Sequence, residues 1–421
     1  MSEQEWIEKY RESTKLVEKS AGVLTGFNAN LDVIHQVSDL NCDFSKVETK
    51  LVENLSTMDE LKSCLKYCIT NSENHEIDIN NLEVGFEGKK FIGGQAGIMS
   101  NFLAKTGNGV IFYTPLLSED LSSRIDDKVL YPVMDGEFEL KNVRDASNTD
   151  RTKKNHIFEF DSKESTGRMI LSDTLKGFGP YFRKGVEDNL DTIEQNIDCA
   201  VFSGFHDILG NKEAKLKKSA KQLRMIDKPI HLEFVNKNVE TTTLILKHIL
   251  PEVDSFGLDE TEFSNLMGML GTDKPEDDLR IDQAFEAAKK IIHKFGLDRI
   301  HLHTYRYHMV VVKDDYQTST SEIKQSMLYG EVAAIQAADT GHIPRKEDIN
   351  EFNMENKDIN GLDELVDFGE KYNITEFEKT GIAHLDSFKI VAIPTIIHNN
   401  PEKTVGMGDI ISSGAFSSEF S

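Results

Sequence analysis

The sequence predicts an α/β protein: a doubly wound, mostly parallel sheet with helices on both faces, plus a small β-rich lid. Three observations predict it. Short apolar runs alternate with amphipathic helical patterns along the chain. Runs such as Ala200 to Gly204 end in small-residue loops, at the strand ends where ligands of such sheets bind. Two stretches, 37–90 and 131–184, break the rhythm and read as a smaller element. A length of 421 residues also exceeds one minimal core.

In order, Gly22 to Phe27 reads as the first buried strand. A helix over Ala96 to Lys105 precedes the next, Gly109 to Tyr113. Further strands fall at Ala200 to Gly204, Pro229 to Phe234, Ser255 to Leu258 and Arg299 to His303, with an amphipathic helix over Ile281 to Phe295. In the second interruption, His156 to Phe160 and Gly167 to Leu171 alternate as lid strands. The polar stretch 341–373 reads as a surface insertion with a helix. The predicted division is therefore a large domain over 1–36, 91–130 and 185–421, with a lid inserted as 37–90 and 131–184.

Composition narrows the function. The chain is 38% apolar and 29% charged, and no apolar run is long enough to span a bilayer. Its start, Met1 to Tyr10, is acidic and lacks the basic and apolar regions of a signal peptide, which predicts a cytoplasmic protein. Lys plus Arg is 48 against 72 for Asp plus Glu, a net charge of −24. That argues against nucleic-acid and anionic-membrane partners, and an anionic substrate would need a local basic cluster. Of the four cysteines, Cys64 and Cys68 lie one helical turn apart and read as buried thiols, not as a disulfide or metal site. The sequence is compatible with a monomer or a small homo-oligomer.

The stretch Thr404-Val405-Gly406-Met407-Gly408-Asp409 carries the most chemistry. A glycine turn opening a helix leaves backbone N–H groups free for a phosphate or a developing oxyanion. Asp409 then stands where a base can take a proton from an attacking hydroxyl. No P-loop occurs, and no Gly-x-Gly-x-x-Gly follows the first strand. Other pieces are dispersed: Gly26-Phe27-Asn28-Ala29-Asn30-Leu31-Asp32, Gly93-Gly94-Gln95, His231-Leu232-Glu233, Asp259-Glu260-Thr261-Glu262 and His301-Leu302-His303.

Together, and in this order, these pieces resemble the ADP-dependent sugar kinases of the ribokinase-like superfamily, the ADP-specific glucokinases and 6-phosphofructokinases. The resemblance implies a ribokinase-like fold, a small lid, and transfer of the β-phosphate of MgADP to a sugar hydroxyl with release of AMP. It implies that Asp409 is the catalytic base and that Gly406, Met407 and Gly408 form the anion hole. Asn30, Asp32, Gly94 and Gln95 match sugar-binding positions. Glu233 and Glu262 match carboxylates tied to magnesium. Asp259 stands where the family has Asn, and an extra carboxylate there either tightens magnesium binding or caps the next helix. Arg168 matches a lid arginine that contacts the nucleotide phosphates, while His303 and Val405 fall where the family builds its adenine pocket.

The choice of sugar rests on charge. Arg151, Lys153 and Lys154 cluster before a lid strand and Arg183 ends the lid, as a sugar phosphate would require. Asn155 aligns with a glucose-touching histidine of the glucokinases, which also favours fructose 6-phosphate. Glu76 points the other way, falling near a glucose-binding glutamate of glucose-using members. The expected activity is thus ADP-dependent 6-phosphofructokinase. The alternatives are a glucokinase, an enzyme with both activities, an ATP-dependent relative, and a non-catalytic sugar- or nucleotide-binding protein.

Overall fold

The computed structural model describes residues 3–421 except 41, 53, 80, 81, 147, 148, 162–165, 174, 176, 272–277, 403 and 404. Thr404 of the glycine motif lies outside the described residues. The predicted strands sit side by side and parallel at the centre of a 12-stranded sheet. Their order is Arg299–His303, Ser255–Asp259, Ile230–Glu233, Cys199–Phe202, Gly22–Gly26 and Gly109–Tyr113. Their near-complete burial explains the unbroken apolar runs. The Gln95–Lys105 and Ile281–Phe295 helices form where helical periodicity places them.

Antiparallel strands extend the sheet beyond what the sequence announces. Tyr307–Lys313, Phe388–His398 and Lys357–Asn360 add one edge, with Ile382–Leu385 paired to the second of these. Lys357–Asn360 lies within 341–373, so that stretch is part sheet edge and not wholly a surface insertion. Its Leu362–Tyr372 helix buries Leu365 and Phe368, the latter 5.9 Å from Phe285 between ring centroids.

A separate 6-stranded sheet forms the lid, in the order Asn54–Leu55, His75–Ile79, Thr166–Asp173, Lys154–Asp161, Asn30–Gln36, Lys89–Gly93. Strand pairing therefore places some elements differently from the predicted division. Asn30–Gln36 joins the small sheet, although it lies in the piece assigned to the large domain. Leu130–Asp135 and Glu137–Asn142 join the large sheet, although all but Leu130 lie within 131–184. Alternation alone cannot say which sheet a strand joins.

The lid has its own small core. The Met58–Asn71 helix starts at a Thr57/Glu60 capping box and lays Leu61, Cys64, Leu65 and Cys68 against Ile77, Phe158, Met169 and Leu171. All four cysteines are free thiols, and Cys64, Cys68 and Cys199 are buried. No helix among the described residues is long and apolar enough to cross a membrane.

Candidate active site

The chemistry-bearing residues converge at the C-terminal ends of the parallel strands. Glu233, Asp259 and His303 are the last residues of three of them. Against this edge sits the head of the Met407–Ser418 helix. Gly406 is its N-cap at φ 84°, a left-handed conformation that glycine adopts at no steric cost. The turn leaves the first helical N–H groups, of Met407 and Gly408, without intrahelical partners.

Asp409 stands in the first turn of this helix. Burial, then the negative charge of Glu233, Glu262 and Asp32, pushes its carboxyl well above the usual range, with His303 opposing. Asp32, in the small sheet, and Asp409, on the last helix, thus feel one another.

Glu233 lies between two histidines. It is 3.3 Å from His231 Nε2 and 3.1 Å from His303 Nε2. Burial alone would raise its pKa, but these hydrogen bonds outweigh burial and hold it at about 2. Glu262 has the opposite balance: burial and the neighbouring Asp259 push it up to about 8. Its carboxylate accepts the backbone N–H groups of Asn236 (3.1 Å) and Asp259 (3.0 Å). Asp259 Oδ1 in turn accepts Glu262 N–H at 2.8 Å, so Asp259 caps the Glu260–Met269 helix. Among the described residues, no three His, Cys, Asp or Glu side chains form a ready metal cage.

The lid sheet supplies the facing wall. Register puts Asp32 beside Asn155, Asn155 beside Ser172, and Ser172 beside Asp78. With a period of two, Asn30, Glu76 and Arg168 share that face. The other face packs under the Met58–Asn71 helix. The polar face looks toward the large sheet, because its Asp78 is 3.1 Å from Lys237, which follows the Ile230–Glu233 strand.

On this face Asn30 Nδ2 donates to Asp32 Oδ1 at 2.7 Å, and Ser172 Oγ donates to Glu76 Oε1 at 2.6 Å. Asn155 Oδ1 is buried without a partner among the described residues, an acceptor open to a ligand donor. A side chain at Gly93 would overlap the Asp32 carboxylate, which explains the small residue there. Gly94 caps the helix that Gln95 begins, and Gln95 Oε1 is held by Asn28 Nδ2. Asn28 and Ser172 contact the candidate residues Gln95 and Glu76, and sequence reasoning did not single them out. The alternation Asn28, Asn30, Asp32 was the available signal for the first.

Three of the predicted cations, Arg151, Lys153 and Arg183, are ion-paired. Arg151 is 2.6 Å from Asp173, and Arg183 is 3.3 Å from Asp150. Lys153 is buried and ion-paired with Asp207, in the loop after Cys199–Phe202. Arg168 is exposed, its backbone N–H bound to Asn74 at 2.8 Å. His303 is tied to Glu233, and Val405 lines a 160 Å³ cavity with Ile98 and Ile410. A roomier, mainly apolar cavity of 380 Å³ lies beside the anion hole, walled by Tyr305, Ile396, His398, Pro401, Met407 and Ile411.

A carboxylate able to take a hydroxyl proton, beside N–H groups able to hold a phosphoryl group, makes this the cleft of a small-molecule kinase. Residues 21–418 match the ADP-specific phosphofructokinase/glucokinase conserved region, and the chain belongs to that family of ADP-dependent sugar kinases. It is 32% identical to an ADP-specific phosphofructokinase of Pyrococcus abyssi over 77% of both chains. It is 26% identical to an ADP-dependent glucose/glucosamine kinase of Pyrococcus furiosus over 99% of both. Among solved structures it resembles an ADP-dependent kinase in complex with fructose-6-phosphate and ADPβS, with a TM-score of 0.82, 26% identity, and coverage of 99% of this chain and 97% of that one. A last common ancestor of ADP-dependent phosphofructokinases from Methanosarcinales gives a TM-score of 0.83 at 26% identity, covering 99% of this chain and 98% of that one. The predicted ribokinase-like α/β class, with its lid, is the fold found.

Proposed function

We propose that the chain is an ADP-dependent 6-phosphofructokinase, which transfers the β-phosphate of ADP to fructose 6-phosphate and releases AMP. The observation that carries this reading is Lys153, a buried cation at the start of the polar lid face, flanked by Arg151 and held by a carboxylate from the opposite wall. A sugar 6-phosphate can take the place of that carboxylate, whereas glucose cannot. The likeness to phosphofructokinases and to a kinase complexed with fructose-6-phosphate supports it.

In this mechanism Asn30, Asp32, Gly94, Gln95 and Asn155 orient the sugar, and the 380 Å³ cavity takes the adenine. Asp409 accepts the proton of the sugar's attacking hydroxyl. The bond from that oxygen to the β-phosphorus forms. The bond from the β-phosphorus to the bridging oxygen breaks, and AMP leaves with the electron pair. The N–H groups of Met407 and Gly408 meet the charge that develops on the transferring group.

The crowded carboxylates Asp409, Glu233 and Glu262 fit a hard divalent cation, since Glu233 raises the pKa of both others and Glu262 that of Asp409. Magnesium held there by Glu233 and Glu262 through water, with Asp259 behind Glu262, would supply positive charge against the phosphates.

A second reading, glucokinase activity alongside the first, is favoured by Glu76. Its carboxylate is fixed by Ser172 on the sugar-facing side, where an uncharged hydroxyl can be bound. Product formation from fructose 6-phosphate and from glucose, each with ADP and with ATP, tests both readings. Turnover of fructose 6-phosphate with ADP is the expected outcome. Turnover of glucose alone, or of ATP in preference to ADP, refutes the first reading.

A further inference from the structure

Behind Glu233 a fully buried polar chain runs to the far end of the last helix. His231, Ser255 and Arg299 stand in one row across three adjacent parallel strands. Arg299 Nη1 lies 3.0 Å from Ser255 Oγ, and Ser255 Oγ lies 2.8 Å from His231 Nδ1. On its other side Arg299 binds Glu419 Oε1 through Nε (3.1 Å) and Nη2 (2.8 Å), and the Tyr316 hydroxyl donates to Glu419 Oε2 at 2.9 Å. The Arg299 and Glu419 side chains are both 0% exposed.

Proton counting gives the chain a direction. A guanidinium only donates, so Ser255 Oγ accepts from Arg299. The single proton of Ser255 then has His231 Nδ1 as its acceptor among the described residues. His231 must therefore carry its own proton on Nε2, where it donates to Glu233 Oε2. The reverse direction would strand the Ser255 proton and set a ring lone pair against a carboxylate. Phe416 stacks on the imidazole at 5.0 Å, with Arg299 over its ring at 5.4 Å, so ring and guanidinium are fixed together. Phe416 and Glu419 belong to the end of the helix whose head carries Asp409.

Replacing a buried ion pair with packed apolar groups is often neutral or stabilising, so stability alone does not account for this one. We propose that Ser255, Arg299 and Glu419 are positioning residues: they fix the tautomer of His231 and so aim Glu233 at the phosphoryl-transfer site. The inference rests on the reading of Glu233 as part of that site.

The test uses full-length enzyme with ¹⁵N-labelled histidine, read by imidazole nitrogen shifts and by steady-state kinetics. In the wild type His231 is expected as the Nε2–H tautomer. Ser255→Ala should shift it toward Nδ1–H and lower kcat about tenfold, with the sugar KM changed less than about twofold. Ser255→Thr keeps the hydroxyl and should restore both tautomer and kcat. Glu419→Gln should give a partial loss with the same signature. An Nδ1–H or doubly protonated His231 in the wild type, or an unchanged tautomer in Ser255→Ala, overturns the proposal. A changed tautomer with unchanged kcat overturns its link to turnover. Full turnover in Glu233→Gln would instead sink the reading of Glu233, whatever His231 does.

Discussion

Lys153 and Asp207 allow recognition and stability to be separated. Their side chains are 8% and 6% exposed, and they pair across the cleft between lid and large sheet. Lys153 outweighs burial and holds the Asp207 carboxyl below its usual range. Removing one partner of a buried pair strands the other charge, at about 3–5 kcal/mol. Lys153→Ala should lose about that much stability, and adding Asp207→Asn should recover most of it.

Recognition should not recover with it. Both variants lack the ammonium, and a charge-assisted hydrogen bond is worth about 1.5–3 kcal/mol. The KM for fructose 6-phosphate should therefore rise about tenfold to a hundredfold in both. Any glucose activity should move by less than about twofold, since glucose offers no charge to that cation. Asp207→Asn alone should lower the KM for fructose 6-phosphate, because the phosphate no longer displaces a carboxylate. Urea unfolding and initial rates on both sugars at saturating ADP read out all arms. A double variant with wild-type KM for fructose 6-phosphate would refute the phosphate pocket.

Three further predictions follow from the same geometry. Asp409→Asn should cut kcat by about 10²–10⁴-fold with ligand binding nearly intact, and retention of a tenth of the rate would remove Asp409 as the base. Because Asp409 must be ionised to act and its pKa is raised, the rate should climb with pH above the ordinary carboxylate range. Glu233→Gln, which removes a repelling charge, should move that limb to lower pH in a pH–rate profile, and an unmoved limb would assign it to another group. Glu262, raised from 4.5 to about 8, binds more protons folded than unfolded in that window. Its contribution to stability is full below pH 4.5 and falls until about pH 8, by roughly 3–5 kcal/mol in total. Denaturant unfolding across this range should show a flatter profile in Glu262→Gln, and parallel profiles would refute the raised pKa of this buried carboxyl.

What was legible in the sequence was whatever a local pattern fixes. The central strands were readable because burial on both faces leaves unbroken apolar runs. The head of the last helix was readable because only glycine takes the Gly406 turn cheaply. The lid's polar face was half readable: Asn30 and Asp32 alternate within one strand, but their neighbours Asn155 and Ser172 arrive from strands more than a hundred residues away. Partner choice left no local trace. Lys153, Arg151 and Arg183 read as free cations because Asp207, Asp173 and Asp150 meet them only through folding. Nor does anything in His301-Leu302-His303 announce that His303 meets Glu233, from another strand.

Those pairings change how selectivity must work in a chain of net charge −24. A free basic cluster would attract any anion, including the nucleotide in the wrong orientation. Here Arg151, Lys153 and Arg183 each already have a carboxylate, so at these three a ligand gains only where it replaces that carboxylate with something better. A phosphate dianion on a sugar held by Asp32 and Asn155 can do so at Lys153, because the hydroxyl contacts fix its reach. A lone phosphate has no such anchor and must meet the full cost of separating Lys153 from Asp207. On the proposed function, the ion pair should act as a threshold that the whole substrate passes and its fragments do not. Inorganic phosphate should accordingly inhibit the wild type weakly, and Asp207→Asn more strongly, in competition with fructose 6-phosphate. Equal inhibition constants in the two proteins would show that the carboxylate sets no threshold.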